Sequence, residues 1–290
     1  MAYKLSKKIF GTKNFQTISQ FEADSPIADC CWVDGLGLVY SSGQILGLIS
    51  PDGTDTSPWK GKCCSKKVLK GTAPVFGSLY GLHYHPILKT IFVTEDGGRS
   101  VRAIDIDNNY TTPMINGKVK LDLERLLSKS PFDSPSYVYA VGKNKFYLLI
   151  SSIKKCFYFD GNSLEHIAGD GKCRYSIGNR ATATSIGMPS GLTGYKDRIY
   201  MADSFKNVIR EFKGSNLSLF WGHPNRSDIE IPFKILVQKN ILYTACRNGI
   251  YSCIFGSEKE NKEPLYNSRN IVGIASDEKN SLYIVEEENA

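Results

Sequence analysis

Histidine is scarce in this chain: His83, His85, His166 and His223 are the four among 290 residues. No histidine-rich set recurs at regular positions, so a centre that needs several imidazoles is hard to assemble. His83-Tyr84-His85 does place two imidazoles on one face of a strand, and these two are the candidates for the start of a metal site. Pro86 directly follows His85, which favours a structural role beside a turn. There is no C-x-x-C, no G-x-S-x-G and no H-E-x-x-H. Ala168-Gly-Asp-Gly171 is not a phosphate loop, because no Lys-Ser/Thr follows and no helix opens there. No catalytic residue is nominated and no cofactor is implied. The opening Met-Ala-Tyr-Lys-Leu-Ser-Lys-Lys has no apolar h-region, so secretion by a signal peptide is not expected. No apolar run approaches the length of a bilayer span, and no membrane partner is expected. No low-complexity tract or Pro/Ser linker divides the chain, so one domain over residues 1–290 is expected.

What is present suits a large core. Hydrophobic residues make up 41% and aromatics 11%, which argues against wholesale disorder. The net charge of +7 permits an anionic partner without demanding one. Eight cysteines stand at 30, 31, 63, 64, 156, 173, 246 and 253. Reduced thiols are the expectation, in the cytoplasm or within an assembled particle.

The apolar runs are short and rich in β-formers, and polar or glycine-containing turns separate them. One set comprises 27–33, 79–84, 137–141, 192–195, 233–237 and 271–275. Each is followed by a partner run beginning at 38, 91, 146, 199, 242 and 282, with steps of 53, 55, 53, 43 and 40 residues. Six units at this period indicate a propeller or another repeat array. The sixth unit stops after two strands, while residues 3–21 at the front read as a spare hairpin. That hairpin is expected to supply the outer strands of the last unit. Lys4, Lys7 and Lys8 would then lie near Glu286, Glu287 and Glu288. Two frayed tails of opposite charge are the alternative. Residues 119–129 have room for one or two helical turns.

Ile167 to Phe212 carries the most specific pattern. Ala-Gly-x-Gly is followed by Pro189-Ser-Gly191-Leu192, a polar turn at 195–197, Ile199-Tyr-Met-Ala-Asp203, then Asn207 and Val208-Ile-Arg210. This segment resembles the NHL repeat, the unit of a family of β-propellers. The resemblance implies an all-β, six-bladed propeller of four-stranded antiparallel blades, closed by the N-terminal hairpin joining the C-terminal strands. With no recognisable catalytic constellation, the expected function is a non-enzymatic scaffold that docks other macromolecules, chiefly proteins, as a structural component of a larger assembly such as a virus or phage particle. Two further readings stay open: an RNA-binding propeller, and a metal-dependent lyase or lactonase with its site in a central channel.

In such a blade the second-to-third-strand loops share a face with the blade-to-blade connections. Lys60, Lys62, Lys66, Lys67 and Lys70 fall on one connection, and Arg99 and Lys206 fall on second-to-third-strand loops. Together they are the candidate partner-binding surface. Trp59 and Phe205 are the aromatics within it, short of a series that would stack bases. Asp203 is expected to cap its own tight turn, and Glu95 and Asp96 occupy the matching place one unit earlier.

Overall fold

The computed structural model describes residues 1–9, 14–55, 59, 62–63, 75–95, 100–107, 110–113, 136–224, 229–257, 263–277, 279 and 281–288. In chain order, β1 (Ala2–Ile9) and β2 (Gln16–Glu22) form a hairpin. β3 (Ile27–Val33), β4 (Gly37–Ser42) and β5 (Ile45–Ile49) form a three-stranded sheet. β6 (Lys62–Cys63) and β7 (Val75–Phe76) pair in parallel. β8 (Leu79–His85), β9 (Thr90–Glu95), β10 (Ser100–Asp105) and β11 (Tyr110–Pro113) form a four-stranded sheet.

The next four-stranded sheet is β12 (Tyr137–Gly142), β13 (Lys145–Ile150), β14 (Lys155–Phe159) and β15 (Leu164–Ala168). It is followed by β16 (Pro189–Tyr195), β17 (Arg198–Asp203), β18 (Val208–Lys213) and β19 (Asn216–Gly222). β20 (Lys234–Gln238), β21 (Ile241–Cys246) and β22 (Gly249–Ile254) form a sheet of three. Finally β23 (Ile271–Ser276) and β24 (Ser281–Glu287) join the opening hairpin in the order β2-β1-β24-β23. The described residues therefore make six antiparallel sheets of three or four strands. They divide into two compact units: residues 1–129, 140–144 and 272–290, and residues 130–139 and 145–271.

In the first unit, every residue of β4 is buried, so both faces of its sheet are covered. On one side Leu38 and Tyr40 pack with Tyr3, Leu5 and Phe21 of the hairpin and with Val285 of β24. There the Trp32 ring stacks on Tyr283 at 4.0 Å. On the other side Val33, Val39 and Leu46 meet Leu79, Leu82, Val93 and Ile104. Polar staples set the spacing. The Asp29 carboxylate accepts the N–H of Leu82 at 2.8 Å, and Ser41 donates to the Tyr80 carbonyl at 2.8 Å.

The second unit repeats the scheme. Leu149 and Cys156 pack with Ile186, Leu192 and Met201, and Tyr200, Ile209 and Trp221 pack with Ile235, Leu242 and Tyr251. Ser151 donates to the Pro189 carbonyl, and Ser190 donates to the Pro232 carbonyl at 2.6 Å.

The hairpin joins β24 as expected, with Lys4 opposite Glu286 and their charges 3.0 Å apart. Among the described residues Lys7 and Lys8 have no acidic partner. The register sets them opposite Tyr283 and Leu282, and their ammonium groups lie over the rings of Tyr283 and Phe15. Among the described residues two sheets have three strands rather than the expected four. Beside β22 there is a single bridge, Ile250 to Tyr266, with Pro264 just before it; proline has no N–H to extend a ladder. Beside β5 there is one bridge, Ile49 to Asp55, after the turn at Gly53, and the N–H of Trp59 bonds to the Leu46 carbonyl at 2.9 Å. The span 119–129 lies outside the described residues.

Leu5 is fully buried where the hairpin meets β24. Leu5→Ala is expected to cost about 2–5 kcal/mol in urea unfolding, against under about 0.5 kcal/mol for Lys8→Ala. Equal effects would show that the hairpin is not part of the cooperative core.

Candidate functional site

An acid at the end of a second strand binds an arginine seven residues on, once in each unit. Glu95 receives Arg102 Nε at 2.6 Å and Nη2 at 2.9 Å, together with the Ser100 hydroxyl and the N–H of Gly77. Asp203 receives Arg210 Nε at 2.9 Å, with both side chains fully buried. This corrects the role expected of Asp203. Its carboxylate does not cap the turn that follows it. It accepts the N–H groups of Gly187 at 3.0 Å and Met188 at 3.1 Å, in the segment leading into β16. The reason is register: Pro189 lies opposite Asp203, so the incoming backbone arrives within reach. Arg210 extends the clip, donating to the Ser176 carbonyl and lying 4.7 Å from the Tyr175 ring.

The clip carries a run of interlocked loops along one edge of the second unit. Ser204 donates its N–H and its hydroxyl to the Met188 carbonyl, at 3.0 and 2.9 Å. Gly187 has to be glycine here, since a Cβ would sit 2.5 Å from Asp203 Oδ1 and 2.9 Å from the Phe205 Cβ. Asn207 adopts φ +56° and accepts the N–H of Ile231 at 2.9 Å. From the neighbouring sheet, Asn248 accepts the N–H of Glu230 at 3.3 Å, and the Glu230 carbonyl receives the N–H of Arg247 at 2.8 Å. Three large apolar side chains stand out from these loops: Met188 at 54% exposure, Phe205 at 45% and Ile231 at 38%. Ile231 is held at φ +48°, where a β-branched residue is strained by about 1–2 kcal/mol.

Of the residues nominated from sequence, Lys206 belongs to this edge, with its ammonium 4.7 Å from the centre of the Phe205 ring. Lys60, Lys66, Lys67, Lys70 and Arg99 lie outside the described residues, as does Asp96. Lys62 is described as backbone in β6. His83 and His85 lie on β8, and His85 Nδ1 accepts the N–H of Leu88 at 3.4 Å, closing the turn that follows. Beside that turn an open cavity of about 320 Å³ is lined by Asp34, Tyr84, Ile87, Ile106 and Asp107, among others. Among the described residues no three of His, Cys, Asp and Glu converge as metal ligands.

Sequence reasoning missed Arg102, Arg210, Met188 and Ile231. The first two had a signal, the shared acid-to-arginine spacing of Glu95–Arg102 and Asp203–Arg210.

His166 directs Nε2 at the carbonyls of Ala168 and Gly169, at 3.0 and 2.7 Å, and so donates there. Burial, helped by the charge of Lys155, holds its pKa below the ordinary imidazole value, and burial does the same for His85.

No protein-family model and no curated protein matches this chain. Solved structures do. A nidogen/laminin complex aligns over 99% of this chain and 100% of its own, at 13% identity and a TM-score of 0.60. A catalytically inactive virginiamycin B lyase from Staphylococcus aureus with quinupristin aligns over 99% and 100%, at 13% identity and 0.53. An auxiliary nutrient binding protein from Bacteroides ovatus aligns over 95% of this chain and 62% of its own, at 9% identity and 0.58. At such identities the shared property is the fold, that of a β-propeller. Among the described residues no helix is long and apolar enough to cross a membrane.

Two outcomes follow from the buried groups. Arg210→Ala leaves Asp203 buried without its cation and is expected to cost about 3–5 kcal/mol in urea unfolding, with Asp203→Leu/Arg210→Met losing less than either single variant. A double variant no better than the singles would show that the pair does more than satisfy buried charge. The histidines set a pH limit. Both have a lowered pKa in the fold, so the unfolded chain takes up protons first. Their contribution is complete above about pH 6.5 and falls as pH drops below it. Thermal unfolding from pH 7 to 5 should show a shallower decline in His85→Asn/His166→Asn than in the parent.

Proposed function

We propose that this chain is a non-enzymatic, six-bladed propeller of the NHL kind. In this reading it is one domain over residues 1–290, closed into a ring by the β1–β2 hairpin. It docks other proteins as a structural component of a larger assembly, such as a virus or phage particle, in the cytoplasm or within the particle. The β1–β24 pairing supports closure. The free thiols of Cys30, Cys31, Cys156, Cys173, Cys246 and Cys253 support a reducing compartment. Two neighbours of the same fold are described by what they bind or assemble with, one as a nidogen/laminin complex and one as a nutrient binding protein.

The observation that carries the docking role is the exposed edge of the second unit. Ile231 keeps a branched apolar side chain at φ +48°, where asparagine or glycine would relax the backbone. It does so on the interlocked loops that also expose Met188 and Phe205. Strain retained beside exposed apolar surface fits a contact that is completed by a partner.

Ile231→Asn separates stability from docking. It is expected to leave the unfolding midpoint unchanged or higher. It should also abolish a discrete protein adduct formed in cells by a photo-crosslinking residue placed at position 205, while the same residue at position 239 gives none. An adduct that survives Ile231→Asn, or equal adducts from 205 and 239, would overturn the assignment of this edge.

A further inference from the structure

We infer that the segment docking on this edge is an acidic, apolar stretch of protein, with Asp or Glu interspersed among side chains such as Leu, Phe and Met. The inference rests on the docking reading above and adds the chemistry of the partner.

Charge around the edge is one-sided. Among the described residues the loops at this end of the second unit carry Lys172, Arg174, Lys206 and Arg247 against two acids, Asp170 and Glu230. A further cation, Lys154, is occupied in part, its ammonium donating to the Ser152 carbonyl. Both acids already face arginines: Asp170 is 3.1 Å from Arg174, and Glu230 is 3.9 Å from Arg247. Lys172 and Lys206 therefore have no acidic partner among the described residues. The turns at the opposite end of the same sheets pair Asp197 with Lys213 at 3.0 Å and Glu211 with Arg198 at 2.9 Å, and carry Lys145, Lys196 and Lys239 besides. At this end the unpaired Lys172 and Lys206 share loops with the exposed Met188, Phe205 and Ile231. A partner that buries those three and meets Lys172 and Lys206 must supply apolar groups and carboxylates together.

Nucleic acid would satisfy the charge but not the rest of the edge. Bases are held by stacking on open aromatic faces. The single aromatic ring among the three exposed apolar side chains, Phe205, already has the Lys206 ammonium over it, and the other two are aliphatic.

The test is fluorescence anisotropy of the full chain with four labelled probes: an acidic-apolar peptide pool, a basic-apolar pool, an acidic pool with serine in place of its apolar residues, and oligouridine RNA. The acidic-apolar pool is expected to bind at least about tenfold tighter than the others, and more weakly as salt is raised. Lys172→Glu/Lys206→Glu and Met188→Ser/Ile231→Asn should each weaken it about tenfold; all four positions are at the surface, and circular dichroism melting verifies that both variants fold. If the basic-apolar pool binds as well or better and still responds to Met188→Ser/Ile231→Asn, the docking edge stands and the acidic partner is refuted. Oligouridine binding lost on Lys206→Glu but not on Met188→Ser/Ile231→Asn would replace the protein partner with nucleic acid. If no probe senses either variant, the inference and the docking reading fall together.

Discussion

A strand buried on both faces cannot rest on one neighbour. That constraint governs this protein. β4 has no exposed residue, and β9, β17 and β21 are buried at every position but the first. Each belongs to a sheet too small to cover itself. Within each unit the apolar clusters accordingly form between consecutive sheets rather than inside one. Apolar burial gives the attraction, but it is non-directional. Direction comes from Asp29, Ser41, Ser151 and Ser190, which bond the backbone of the next sheet in its first strand or, for Ser190, just before it. A buried polar side chain finds its partner in one placement only, so these bonds select among the packings that hydrophobic contact alone would accept.

The acid–arginine clips apply the same logic to loops. Asp203 takes up one arginine and two backbone N–H groups, leaving a buried carboxylate well satisfied. Because it binds the chain just before β16, it brings Met188 against Ser204 and leaves the Phe205 side chain over Gly187. The exposed edge is thus supported by a buried ion pair with no exposed atoms of its own. Glu95 and Arg102 repeat the arrangement in the first unit, where Arg102 also lies over the Phe76 ring.

The alternation of short apolar runs with turn residues made most strands legible. Ile27–Val33 is a strand over its full predicted length, and the runs beginning at 38, 91, 146, 199, 242 and 282 all fall within second strands. The hairpin partner of β24 was legible too, because two incomplete ends implied each other. Strand counts were less so. Whether a fourth strand forms beside β22 depends on Pro264, whose effect is decided by tertiary pairing. The edge was the least legible part. Met188 and Ile231 are separated by 43 positions and meet the same turn through backbone bonds. The positive φ of Ile231 also runs against every local preference of isoleucine.

The pairing of β1 with β24 has a temporal side. Tyr3 is matched with Glu287, 284 positions later, so on a ribosome working at about 5–20 residues per second the first strand waits on the order of 15–60 s for its neighbour. Until then one side of β1 is satisfied by β2, while the other offers bare N–H and C=O groups to any passing chain. Lys4, Lys7 and Lys8 lie on that strand, and lysines along an unpaired rim discourage association with the wrong copy. The lysines that meet Glu286 and Tyr283 once β24 has been made therefore guard the open rim of β1 until that strand arrives.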